Sequence, residues 1–194
     1  MPGLRTARLS ARLPVRLLAG WLALLLLALL PLSGCQPDAP VSLQLPQHVY
    51  IWQRVWRDSH ALALQQSKTA FSALRLLSLQ YHASTQGPVW TQAAPDWRLL
   101  AADGRPLTLV LRLDGQLRQL PAASELWPRW LAILNTARQH GVVIHQLEID
   151  YDAGRARLPA YRQWLAKLQA EITTNPPPWS AKAVTLSATA LPDW

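Results

Sequence analysis

Apolar runs of strand length alternate along this chain with longer segments of helical period, and most of the runs split into one apolar and one polar face. The runs are HVYIWQ (48–53), LRLLSLQYH (74–82), PLTLVLRLD (106–114), VVIHQLEIDYD (142–152) and AVTLSATAL (183–191). Between them lie helix candidates at 58–70, 124–140 and 158–172, the last with Tyr161, Trp164, Leu165 and Leu168 at i, i+3, i+4, i+7. Ser124 stands where an N-cap belongs, and Gly141 where a glycine would end the helix. Residues 83–105 lack a period and are read as a long loop or another short hairpin. This alternation predicts an α/β protein with a parallel sheet and crossover helices.

The faces narrow the choice of sheet. Alternate strand residues point to opposite sides, so Leu107, Leu109, Leu111 and Leu113 share one face while Thr108, Val110, Arg112 and Asp114 share the other. Val184, Leu186, Ala188 and Ala190 likewise oppose Thr185, Ser187 and Thr189, and Gln80 and His82 oppose Leu77, Leu79 and Tyr81. A doubly wound sheet buries both faces of its central strands. One polar face per strand, with polarity rising toward the C-terminal end, predicts a parallel (β/α) barrel of glycosidase type with helices outside and a site at the strand tips. A complete barrel takes typically about 250 residues, whereas 159 positions follow Cys35 (194 less 35) and hold about five strands. Residues 48–194 are therefore expected to form an incomplete barrel, its N-terminal part. It belongs either to a longer product or to a truncated copy whose open edges would pair or aggregate.

The N-terminus carries Arg5, Arg8, Arg12 and Arg16 without an acid, then a leucine-rich run to Leu32, which is the plan of a secretory signal. The apolar run is short for a membrane span, which needs about 20 apolar residues. Leu32-Ser33-Gly34-Cys35 resembles a bacterial lipobox, so 1–35 is read as a lipoprotein signal with lipidation at Cys35, the sole cysteine. Acyl chains on Cys35 would make the membrane a partner, each buried CH₂ contributing about 0.8 kcal/mol. Gln36, rather than aspartate, resembles the sorting signal for the outer membrane, with the protein facing the periplasm. Residues 36–47, rich in proline and polar groups, are read as a tether. The whole chain has 19 basic and 11 acidic residues, and without the four signal arginines the balance is 15 to 11. So mild an excess, with no recognisable nucleic-acid motif, gives no case for a nucleic-acid partner.

Within 142–152, Glu148, Asp150 and Asp152 recur at every second residue and share one face, opposite Leu147, Ile149 and Tyr151. Carboxylates crowded on a partly buried face repel, so at least one acquires a raised pKa unless a cation is near. A raised pKa suits a proton donor. Arg112, Arg155 or Arg157 would instead neutralise the row as a salt-bridged polar layer, and a hard cation such as Ca²⁺ or Mg²⁺ held by the row is a third reading. No GxSxG, HExxH, phosphate-binding glycine loop or cysteine pair is present in the sequence, the five histidines are scattered, and no cofactor is implied.

HQLEIDYD (145–152) resembles the DGxDxDxE pattern on the fourth strand of family eighteen glycosidases, the chitinase type, which are TIM barrels. Glu148 and Asp150 fall on the inner acidic pair and Asp152 on the terminal glutamate, while His145 and Gln146 replace the opening aspartate and glycine. The resemblance implies Asp152 as proton donor, with Asp150 and Glu148 orienting or polarising. Aspartate is one methylene shorter than glutamate, which displaces a donor that must come within about 3 Å of its target. VYIWQRVW, LEIDYDA and YRQWLAKL together also resemble an uncharacterised family of bacterial lipoproteins with a glycosidase-like barrel, a likeness that implies a longer domain and no particular activity.

Ten tryptophans offer flat faces for sugar rings, although large aromatics are more often core. Trp52, following Tyr50 on the alternating face, is the best exception, and Trp90, Trp97, Trp179 and Trp194 fall in expected loops or strand ends. Trp52, Gln80, Arg112 and Asp114 are the candidates for holding a ligand. The expected function is an envelope lipoprotein that binds, and as an enzyme would hydrolyse, a polysaccharide. A non-catalytic glycan-binding module and an inactive truncated remnant are the alternatives.

Overall fold

A computed structural model describes residues 45–191. The signal segment, Cys35, residues 36–44 of the expected tether and Trp194 lie outside the described residues. The elements run β1 (His48–Ile51), α1 (Ser59–Ser67), β2 (Ala73–His82), β3 (Val89–Gln92), α2 (Trp97–Asp103), β4 (Leu107–Leu113), α3 (Ala123–Gln139), β5 (Gln146–Tyr151), a 3₁₀ turn (Arg155–Arg157), α4 (Leu158–Thr174) and β6 (Thr185–Ala188).

The sheet has six strands in the order β1-β2-β4-β5-β6, with β3 paired to β2. All five strands of the main path are parallel, and β3 alone is antiparallel. Each parallel crossover steps the same way across the sheet, with no reversal of direction. Right-handed crossovers of that kind place every helix on one face. The buried residues of α1, α2, α3 and α4 accordingly join one core cluster with Leu74, Leu76, Leu109, Leu111, Leu147 and Ile149. Trp127 and Trp130 of α3 are its largest fully buried side chains.

Among the described residues the sheet is open, as the short strand count implied; no barrel is formed, and six strands replace the five expected. The doubly wound alternative is also absent from this strand order, since it requires a switch point. Residues 83–105 hold β3, the short hairpin partner, and also α2, which lacked enough turns for a visible period. Local chemistry nevertheless bounds α2. The Asp96 side chain accepts from the Arg98 and Leu99 amides at 3.0 and 3.1 Å, and Gly104, at φ 77°, ends the helix in the left-handed region. Gly141 closes α3 in the same way, at φ 80°. Ser124 is not the N-cap of α3. Ala122 holds that position with no side-chain bond, and the helix starts earlier because Ala123 packs on the core. Residues 142–145 precede the strand rather than opening it, β5 beginning at Gln146. Among the described residues no helix is long and apolar enough to cross a membrane.

A bulge in β2 sets which side chains reach the second face. Leu77 pairs with Val110 and Leu79 with Leu111, so Ser78 is the extra residue. The Ser78 hydroxyl donates to the Val110 carbonyl at 2.9 Å and accepts from the Trp130 indole at 3.1 Å. The Ser78 carbonyl accepts from the Ala93 amide at 3.0 Å. Alternation therefore reverses across the bulge. Leu77, expected opposite Gln80, stands on the same face as Gln80, and Arg75 joins them.

Candidate functional site

The face opposite the helices is built in three tiers, read from the strand register. Tyr50, Arg75, Thr108, Gln146 and Thr185 form the first, Leu77, Val110, Glu148 and Ser187 the second, and Gln80, Arg112 and Asp150 the third. Trp52 lies just past the end of β1, and Asp152 just past the end of β5. Polarity does not simply rise toward the strand tips as expected. Polar tiers bracket a middle tier in which Leu77 and Val110 are buried.

The three carboxylates do share this face, and arginines engage all of them. Glu148, 4% exposed, pairs with Arg75. Glu148 also accepts from the Tyr50 hydroxyl at 2.7 Å and from the Ser187 hydroxyl at 3.4 Å. Asp150, 7% exposed, pairs with Arg112 and accepts from the Thr189 hydroxyl at 3.2 Å. Asp152 differs. Its side chain is 55% exposed, and its ion pair to Arg112 is long, at 3.7 Å. Arg112 is thus the neutralising arginine expected from the sequence. Arg157 is spent elsewhere, its Nη1 donating to the Gly115 and Leu117 carbonyls at 3.0 and 2.7 Å and to the Tyr151 hydroxyl at 3.2 Å. Arg75 was hidden by the bulge: strict alternation back from Gln80 assigns it to the wrong face.

Aromatic rings close the other side. Tyr50 and Trp52 are stacked with centroids 5.3 Å apart and planes 6° from parallel. The Arg75 guanidinium lies 5.6 Å from the Tyr50 centroid and that of Arg112 5.6 Å from the Trp52 centroid, both within cation–π range. Burial raises the Tyr50 pKa; Arg75 opposes that rise and Asp150 adds to it, so the phenol keeps the proton it donates to Glu148. Trp52 remains 41% exposed. Trp52, Gln80 and Arg112, three of the four expected ligand-binding residues, line one shallow cavity of about 320 Å³ with Arg54 and Leu77.

Asp114 is placed otherwise. It accepts from the Gln116 amide at 2.9 Å and from the Ala83 amide at 3.4 Å, which fixes the turn after β4. Three other tryptophans among the described residues serve packing: Trp97 is buried, Trp90 rests on Tyr81, and the Trp179 indole donates to Asn135. Among the described residues no group of three or more histidine, cysteine, aspartate or glutamate side chains is gathered as a metal site.

Residues 103–194 match a family model described as a domain of unknown function, DUF3142, consistent with an uncharacterised family. That span contains Arg112, the three carboxylates, Ser187 and Thr189, whereas Tyr50, Trp52, Arg75 and Gln80 precede it. No match was found among curated proteins or among solved structures.

Proposed function

We propose that the protein is an envelope lipoprotein that binds a polysaccharide on the polar face of a glycosidase-like sheet. The observation that carries this reading is the face itself. A two-ring stack, two arginines and three carboxylates form one connected layer, with Trp52, Arg112 and Asp152 still partly open at the strand tips. Sugars are held by this combination of flat apolar rings and charge-assisted donors and acceptors. Sequential parallel strands with all helices on one face are also the arrangement from which glycosidase barrels are built, with ligands at the C-terminal strand ends. Lipidation at Cys35 places this surface at the outer membrane, toward the periplasm.

A hydrolytic version is favoured by one contrast. Asp152 is the most open of the three acids and the least tightly paired, as a proton donor facing a substrate must be, while Glu148 and Asp150 are held rigid behind it. The two versions separate cleanly. The full chain and Asp152→Asn are presented with insoluble and soluble polysaccharides, and bound protein and released reducing ends are both measured. Binding by both proteins with no release assigns a glycan-binding module. Release by the parent that falls about 100-fold or more in the variant assigns hydrolysis, since a general acid contributes typically 10²- to 10⁴-fold. No retention on any polysaccharide by either protein would sink the proposal. Fractionation of cells carrying Cys35→Ala tests the anchor, which predicts loss of the protein from the membrane fraction.

A further inference from the structure

The geometry points to a subsite for an acidic sugar, a uronate whose carboxylate is taken by Arg54, in the cavity beside Trp52. This rests on the polysaccharide reading and names its substrate class. The cavity of about 320 Å³ is lined by Trp52, Arg54, Leu77, Gln80 and Arg112, and so by two guanidinium groups and no carboxylate. The two arginines differ in what they have left to give. Arg112 is committed to Asp150 and Asp152. Arg54 is exposed, and its side chain has no hydrogen bond, ion pair or ring contact among the described residues.

The backbone beneath Arg54 is fixed. Its carbonyl accepts from the Ala94 amide at 2.8 Å, and Val55 bridges to Ala94, so the guanidinium is mounted on a pinned segment at the cavity rim. Gln80 is likewise unspent among the described residues, leaving an amide donor and acceptor for sugar hydroxyls. Trp52 and Leu77 supply the apolar wall. A planar guanidinium fork matches a carboxylate with two parallel bonds, and a free one at the rim of a small cavity selects an anion over a neutral ring. Of the acidic row, Glu148 is matched by Arg75 while Asp150 and Asp152 share Arg112, so the preference for an anion rests on Arg54.

The test is calorimetric titration of the full chain with tetragalacturonate and with its fully methyl-esterified form, which keeps the rings and removes the charge. Arg54→Gln and, as a control outside the cavity, Arg98→Gln are titrated alongside. The acid is expected to bind at least tenfold more tightly than the ester. Arg54→Gln should erase that difference, Arg98→Gln should preserve it, and added salt should narrow it. Equal binding of acid and ester, or an undiminished preference in Arg54→Gln, overturns the acidic subsite and leaves the polysaccharide reading standing. Equal binding of tetraglutamate would overturn the sugar part of the assignment. If neither these oligomers nor neutral glucan or chitin oligomers bind, both readings fall.

Discussion

Arg75 on β2 and Glu148 on β5 form an ion pair across β4, the strand that separates them. Neighbouring strands lie about 4.8 Å apart, so the pair spans roughly twice that, within reach of a long arginine and a glutamate but of few other combinations. Beneath it Val110 is fully buried, on the face opposite the one that α1, α2, α3 and α4 pack against. The ion pair therefore acts as a lid for the middle tier, and Tyr50, bonded to the same carboxylate, completes it.

Arg75→Met should destabilise the fold by about 3 kcal/mol, the low end of the range for leaving one charge of a buried pair unmatched. The Arg75 side chain is 22% exposed, which keeps the estimate at that end. Glu148→Gln in the same background should recover part of the loss, because the orphaned charge is gone. Urea denaturation of the two single variants and the double variant measures the coupling. A coupling energy near zero would mean that water, rather than Arg75, satisfies Glu148.

Ser78→Ala should cost about 1 to 3 kcal/mol, the penalty for a buried donor left without a partner. The substitution keeps nearly the same volume, but it strips the Trp130 indole of its acceptor and the Val110 carbonyl of a donor. Thermal and urea unfolding read the loss. A change under about 0.5 kcal/mol would show that the bulge is held by its backbone bonds alone.

Much of this site was legible in the sequence, because period-two alternation survives wherever the strand is regular. Glu148, Asp150 and Asp152 do share a face, Arg112 does meet Asp150 and Asp152, and Trp52 does follow Tyr50 on that face. What was hidden has a single local cause. One extra residue at Ser78 inverts the parity of β2, and nothing in LRLLSLQYH marks which serine or leucine is looped out; the choice is made by Trp130, 52 residues downstream. Arg75 was lost with that inversion and Leu77 misplaced by it. The caps of α2, in contrast, were present as Asp96 and Gly104 and needed only to be weighed above its missing period.

Asp103 and Arg105 give a pH-dependent contribution. The Arg105 guanidinium donates to both Asp103 carboxylate oxygens, at 2.7 and 2.9 Å, and to the carbonyls of Leu64, Ser67 and Phe71 at the end of α1. Burial alone would raise the Asp103 pKa. Hydrogen bonds from Arg105 and the charges of Arg105 and Lys68 outweigh it and hold the carboxyl below its ordinary 3.8. A depressed folded-state pKa means stability that is fully present above the unfolded value and lost as pH falls through the folded one. Asp103→Asn should therefore be less stable than the parent by about 1.5 to 3 kcal/mol at neutral pH, in line with bonds to a charged group. That gap should stay level down to about pH 5 and close below 3.8. Urea midpoints measured from pH 7 to pH 2 follow it, and a gap that persists at the lowest pH would assign the effect to packing.

The two exposed-to-buried aspartates should separate stability from function. Asp152 is half exposed, and its 3.7 Å pair with a 43%-exposed Arg112 is worth at most about 1 kcal/mol. Asp152→Asn should therefore leave the unfolding midpoint within about 0.5 kcal/mol of the parent, as surface changes do. Asp150→Asn removes a nearly buried carboxylate that Arg112 and Thr189 both engage, and should cost about 1 to 3 kcal/mol. It should also release Arg112 from its position beside Trp52 and loosen the indole, since one guanidinium serves both. Tryptophan fluorescence across the two unfolding curves distinguishes the cases. Asp150→Asn should shift the folded-state emission and Asp152→Asn should not. Equal folded-state spectra and equal midpoints for the two variants would mean that Arg112 keeps its place without Asp150, held by Asp152 and the Trp52 face alone.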